Sequence, residues 1–239
     1  MINELAVGDF EFAALNEARN YRTVLAREFA PFLSGRVAEI GAGIGQMTAE
    51  FQALPNVGQL TAVEPDARFH SEYVRRNPSI LLVRGTASDI PEKTGWNSIV
   101  AINVLEHIKH DEEELKVWHS LVADRGGYVC LFIPARPEIY APIDKDFGHY
   151  RRYTKPELRR KLTAAGFTIV RLYYFNWLGY FAWLVKFRWL GQRTFDVGSV
   201  RTFDRYLLPV VYGMESNLCR PPFGQSLIAI GQASPVRQV

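Results

Sequence analysis

The chain has 239 residues, 48% of them hydrophobic and 22% charged, with a formal net charge of +3. That length suits one large domain with its own core, and the composition excludes a disordered or disulfide-stapled chain. The charge is too small to point to nucleic acid, and no such partner is expected.

A first helix is predicted over 14–33, with Leu15, Ala18, Leu25 and Phe29 near one face and Pro31 and Gly35 at its end. Short apolar runs then predict strands at 36–40, 59–64, 80–83, 98–102, 127–133, 167–173 and 226–230. Helices are expected between them. Asp66 suits the cap of one over 66–76, and Asp111 the cap of another, with Glu114 at the capping-box position. Thr154, Pro156 and Glu157 form a strong helix start, and that helix ends at Gly166. Strands alternating with helices imply a mostly parallel sheet covered on both faces, with the ligand along the carboxyl edge. The organisation expected is one domain: a helical lid at 1–35, a core at 36–175, an inserted helical cap at 176–224, and a last strand and tail at 225–239.

Cys130 and Cys219 form no CxxC pair, so a reduced, cytoplasmic setting without a metal site is expected. Residues 1–12 lack the basic start and apolar centre of a signal peptide. No apolar run reaches the ~18–20 residues needed to cross a bilayer.

Glu39, Gly41, Gly43 and Gly45 follow the first strand and open a helix. Glycines let the backbone turn sharply beneath a ligand, and the helix start offers free amides. A plain strand–helix turn would explain a glycine pair alone. Gln46 stands where a dinucleotide site wants a third glycine, however. Glu64 ends the second strand about twenty residues on, where a carboxylate can accept ribose hydroxyls.

Four segments carry a resemblance: VAEIGAGIG at 37–45, VEPD at 63–66, GTASDIP at 85–91 and NVLEHI at 103–108. In this order and spacing the sequence resembles the class I S-adenosylmethionine-dependent methyltransferases over about residues 36–135. The resemblance implies a Rossmann-like seven-stranded, mostly parallel sheet with helices on both faces, and S-adenosylmethionine as cofactor. It implies that Gly41, Gly43 and Gln46 line the methionine and ribose portion, and that Glu39 orients the cofactor's amino group. Glu64 and Pro65 would meet the ribose, Thr86, Ala87 and Ser88 the adenine, and Asn103 and Val104 the ammonium end. Thr86 departs from the acid many relatives carry. His107, a further candidate catalytic residue, either stands or stacks behind the ligand or is a satisfied histidine at a helix start.

The segment 134–154 brings three prolines, three acids, a histidine and several arginines and tyrosines to the same edge, as a shaped loop rather than a helix. His149 is the candidate general base or acceptor-orienting group, with Asp144 to orient it or act in its place. Tyr140, Asp146, Tyr150, Arg151 and Arg152 are candidate acceptor-binding residues, the arginines suiting a phosphate or carboxylate. Loop structure alone would also explain several of them.

Residues 173–189 are apolar nearly all round if helical. Such a helix is core, a lid over an apolar acceptor, or an interfacial helix touching membrane through 177–190, where Lys186 and Arg188 sit beside tryptophans. A further helix around 203–211 is expected to be interrupted by Pro209. The stretches GHYRRY at 148–153, FNWLG at 175–179 and PPFGQS at 221–226 look like a bacterial methyltransferase subgroup, many of whose members accompany glycosyltransferases of cell-surface glycan or polyprenyl-linked sugar pathways. That resemblance implies O-methylation of a sugar, lipid-linked or small-metabolite hydroxyl. N- or carboxyl-methylation of a small molecule, and a non-catalytic cofactor-binding module, remain alternatives.

Overall fold

The structure is a computed structural model and describes residues 16–194, 196–217 and 220–234. The start of the expected N-terminal helix, Cys219 and the end of the tail lie outside the described residues.

Seven strands form one sheet in the order β3-β2-β1-β4-β5-β7-β6. They are β1 (Gly35–Ile40), β2 (Val57–Glu64), β3 (Leu81–Arg84), β4 (Ser98–Ile102), β5 (Tyr128–Pro134), β6 (Phe167–Phe175) and β7 (Ser226–Ala233). All pairs are parallel except those of β7, which runs antiparallel between β5 and β6. Every strand read from the sequence is present, and the fold is the mostly parallel α/β sheet expected.

The apolar runs are continuous because both faces are covered. In β5, Val129, Leu131 and Ile133 enter one core with Trp96, Trp118 and Leu162. The intervening Cys130 and Phe132 enter the other, with Phe29, Phe51 and Ile228. This alternation is the two-residue strand period at work. Burial pushes the Cys130 thiol well above the ordinary range.

The helices before β6 are α1 (Arg19–Phe29), α2 (Gln46–Gln52), α3 (Ala67–Arg76), α4 (Asp111–Val122), α5 (Pro142–Asp146) and α6 (Lys155–Ala164). Asp66 caps α3 by accepting the Arg68 amide at 2.9 Å. Thr154 caps α6 through the Glu157 amide at 3.3 Å. Asp111 behaves differently from a cap. It is the first residue of α4, and its carboxylate accepts from Lys161 Nζ at 2.5 Å, Arg151 at 2.7 Å and the Tyr153 hydroxyl at 2.8 Å. Charge-assisted partners outcompete a backbone amide. Glu114 likewise accepts from the Trp118 indole at 2.6 Å instead of closing a capping box.

Between β6 and β7 the chain forms α7 (Trp177–Trp183), a wide π-type turn at Leu184–Trp189, α8 (Val197–Thr202), a second π-type turn at Phe203–Leu207, and α9 (Leu208–Asn217). Pro209 does not interrupt this last run. The π-type turn precedes it, and irregular helical hydrogen bonding is the usual accommodation for a residue without an N–H. Three buried carboxylates tie the segment down. Glu215 accepts the Trp177 and Asn176 amides at 2.8 and 3.1 Å. Asp204 accepts the Tyr21 and Asn20 amides at 2.8 and 2.9 Å. Glu28 accepts the hydroxyls of Tyr173 and, at 2.8 Å, Tyr212.

Candidate active site

The strand order turns back between β1 and β4, so their carboxyl ends diverge and open a crevice. After β1 the chain makes three left-handed steps, at Gly41 (φ 71°), Gly43 (φ 55°) and Gly45 (φ 79°). At Gly41 the requirement for glycine is double, because a Cβ would also lie 2.4 Å from Val104 Cγ2. Glu64, at the end of β2, clamps this loop. Its carboxylate accepts the Gly43 amide at 2.7 Å and the Asp66 amide at 2.8 Å. Two amides leave part of a carboxylate's roughly four acceptor positions for a ligand. Burial raises the Glu64 pKa, opposed by these amides.

A cavity of about 440 Å³ lies over the loop, within the ~300–1,000 Å³ usual for small-ligand sites. Gly41, Gly43, Glu64, Pro65, Thr86 and Ala87 line it, as do Asn103, Val104 and His107. Asn103 takes a left-handed conformation (φ 51°) just after β4, and its amide donates to Phe132 O at 2.8 Å. Asparagine tolerates that conformation better than most side chains. The cavity also takes in Phe69, Asp66 and Phe147, which the sequence reading did not select. Asp66 and Phe69 follow Glu64 closely enough that the turn after β2 could have flagged them; Phe147 is brought in by loop folding alone.

Three expected cofactor residues lie elsewhere. Gln46 Nε2 donates to Asn16 at 2.6 Å. Ser88 is exposed, with its carbonyl accepting from Lys93. Glu39 is buried beneath the loop, where Thr48 donates to it at 2.5 Å. Burial, and to a lesser degree the Glu64 charge, push its pKa up to about 8 against the Thr48 hydrogen bond. The Thr86 hydroxyl is held by Asp89 Oδ2 at 3.0 Å.

A second cavity of about 270 Å³ adjoins the first, and Asn103 and Phe147 line both. The ends of β4 and β5 form its floor. Tyr21 of α1 and Trp183, Phe187, Phe203 and Leu208 of the 177–217 segment form much of its wall. Its polar lining includes His149, Arg152, Asn176 and Gln225.

His149 is mostly buried, at 9% exposure. Its Nδ1 lies 3.0 Å from Asp144 Oδ1. Burial pushes the Asp144 carboxyl up, but His149 and Arg152 outweigh it and hold the group below the usual range. An ionised carboxylate only accepts, so Nδ1 carries the proton in this pair. Arg152 reaches the same oxygen at 2.8 and 2.9 Å and stacks on Trp183 at 4.3 Å. His149 Nε2 is 3.9 Å from Glu106 Oε1, and the ring meets His107 edge-to-face at 4.6 Å. Burial, with the nearby His149, lowers the His107 pKa to about 4.

Of the residues expected to contact an acceptor, Arg152 lines the second cavity. Tyr140 donates its hydroxyl to the His149 carbonyl at 2.7 Å. Arg151 pairs with Asp111 and Asp146 with Arg193. Tyr150 is 57% exposed. The segment is also less of a loop than expected, since Pro142–Asp146 is helical. Pro142 sits in the first turn, where no N–H is needed, and Asp144 Oδ2 accepts the Ala141 amide at 2.8 Å.

A sheet of this order, with a glycine loop after β1, an acid closing β2 and paired cavities at the carboxyl edge, defines a class I S-adenosylmethionine-dependent methyltransferase. The methyltransferase-domain family profile matches residues 13–172, and the chain belongs to that family. No curated protein matches the sequence. The fold is similar to a chain of the complex of the Haloferax volcanii Trm112 methyltransferase activator with a methyltransferase (11% identity, TM-score 0.64, 95% of this chain and 96% of that one). It is similar to the YcgJ protein of Bacillus subtilis (16% identity, TM-score 0.58, 90% and 99%). It is also similar to an S-adenosylmethionine-dependent methyltransferase of Clostridium acetobutylicum (11% identity, TM-score 0.57, 91% and 92%).

Proposed function

We propose that this methyltransferase O-methylates a hydroxyl on a sugar or other small metabolite, free or lipid-linked. The observation that carries the reading is the shared wall: Asn103 and Phe147 border both cavities, and His149 stands on the acceptor side. The cofactor supplies an electrophilic methyl group on its sulfonium. This chain's residues position the nucleophile and take up its proton. Glu64 and the glycine loop hold the nucleoside end, and Asn103 and Val104 border the reacting end.

His149 is the proton acceptor in this reading. Asp144 is held ionised on one side of the ring, and the buried Glu106 lies on the other. An imidazolium at His149 therefore meets the Asp144 carboxylate at 3.0 Å, with Glu106 Oε1 at 3.9 Å from the other nitrogen. Asp144 fixes the tautomer that leaves Nε2 basic. A placed base of this kind typically contributes 10²–10⁴ in rate. The acceptor cavity's aromatic wall suits a ring with apolar faces, and its amide and guanidinium groups suit hydroxyls around that ring.

The test is methyl transfer from labelled cofactor into a panel of hydroxyl acceptors and a fractionated extract, followed by alkali. An ether keeps its label, whereas a carboxyl ester releases it as methanol. Alkali-labile label, or turnover unaffected by His149→Gln, would overturn the assignment.

A further inference from the structure

We propose that the outer face of the 177–217 segment docks on the interfacial region of an anionic lipid bilayer. This segment leaves many large apolar side chains in water. It is about a sixth of the chain. Yet it holds Phe181, Val185, Trp189, Leu190, Tyr206, Leu207, Val210 and Met214, eight of the twelve exposed large hydrophobic residues among those described. Scattered apolar side chains need no explanation, but a concentration of them marks a contact surface.

Their spacing is ordered. Phe181, Val185 and Trp189 recur every four residues, at 45%, 42% and 70% exposure. Tyr206, Val210 and Met214 do the same, at 61%, 61% and 44%. Residues four apart share one side of a helix. The opposite sides carry Trp183 and Phe187, and Leu208 and Val211, all buried. Each run is thus apolar on two sides, one facing the protein and one facing out.

Charge selects the occupant. Arg188 and Arg205 are exposed among these residues, and Lys186 is exposed at the lining of the second cavity. The acids are turned away: Asp204 and Glu215 are buried against backbone amides. That leaves Asp196 as the exposed acid among the segment's described residues. A basic rim around tryptophan, phenylalanine and aliphatic side chains fits anionic headgroups over an acyl boundary. Two copies of the same cationic face would repel. No helix among the described residues is long and apolar enough to cross a membrane, so the contact lies along the surface. The inner sides of the same helices wall the second cavity. Docking would hold that cavity about one helix diameter, ~10 Å, from the headgroups.

The full chain is to be sedimented with vesicles of phosphatidylcholine alone and of phosphatidylcholine mixed with phosphatidylglycerol. Binding is expected to the mixed vesicles and to weaken as salt screens the charges. Trp189→Ser combined with Val210→Ser should lower partitioning at least about tenfold, by the apolar area withdrawn from the boundary. Arg188→Gln with Arg205→Gln should weaken binding to anionic vesicles selectively. All four substitutions are at exposed positions, and unchanged melting temperature and S-adenosylhomocysteine affinity would confirm intact folding. The proposal is overturned by absence of sedimentation with anionic vesicles at low salt, or by variants that sediment like the parent. It is equally overturned if the chain is a dimer in solution that Trp189→Ser dissociates. None of these readouts involves methyl transfer, so they stand or fall apart from the reaction proposed above.

Discussion

His149 Nδ1 lies 3.0 Å from an Asp144 oxygen that Arg152 Nε also reaches at 2.9 Å. One carboxylate therefore accepts from two side chains, the imidazole and the guanidinium, and the two functions should separate on substitution. His149→Gln is expected to lower turnover by about 10²–10⁴ with S-adenosylhomocysteine affinity unchanged. Asp144→Asn leaves the buried Arg152 charge uncompensated and should cost about 3–5 kcal/mol of stability. Calorimetric binding, turnover and chemical denaturation of the two variants check this split.

Gly41→Ala should abolish cofactor-product binding. The new Cβ would lie 2.4 Å from Val104 Cγ2 on a backbone with φ 71°. Adding Val104→Ala removes the clash but not the strain, so only part of the affinity should return, with about 1–2 kcal/mol still missing. Titration calorimetry of the single and double variants gives the comparison. Full recovery would show that the left-handed conformation costs nothing here.

A buried carboxyl and a half-buried imidazole make opposite contributions to stability as pH changes. Glu39 has its pKa raised to about 8, so between the unfolded value of 4.5 and 8 the folded state binds more protons than the unfolded state. Stability of the cofactor-free protein should fall with rising pH across that window, and Glu39→Gln should remove the fall. His107 is lowered from 6.5 to about 4. There the unfolded state binds more protons, so stability is lost as pH falls from 6.5 towards 4, and His107→Asn should flatten that limb. Melting temperatures of the three proteins from pH 4 to pH 9 test both signs.

Glu106, His107 and His149 bring possible ligand atoms within 4.8 Å of one another. The expected outcome of exhaustive chelation is nevertheless unchanged turnover. Arg152 already supplies positive charge beside Asp144, the carboxylate that holds His149 Nδ1. Elemental analysis showing a stoichiometric divalent ion, lost together with activity, would reverse this.

The sheet was legible because its signals are local. Apolar runs such as 98–102 and 127–133 are bounded by polar turns, and the glycines at 41, 43 and 45 fall between a strand and a helix. Glu64, Asn103 and Val104 were legible for the same reason, each standing at or just past a strand end. The acceptor side was less so, because its walls come from distant segments. Tyr21, Phe132 and Trp183 meet across one cavity although far apart in sequence. Arg151 and Asp146 looked like ligand-binding groups, and nothing in their spacing foretold Asp111 and Arg193 as partners. The FNWLG and PPFGQS stretches have a structural basis too. Asn176 Oδ1 accepts the Gly179 amide at 2.8 Å and its Nδ2 donates to Gln225 at 3.1 Å. A Cβ at Gly179 would fall 2.2–2.3 Å from those side chains.

The amides that open α1 are satisfied by Asp204, a residue 184 positions downstream of Asn20. A nascent chain emerging from the ribosome must therefore carry these donors unsealed through most of its synthesis. This early helix is among the last to be completed, and a chain broken off before Asp204 would leave its first turn frayed.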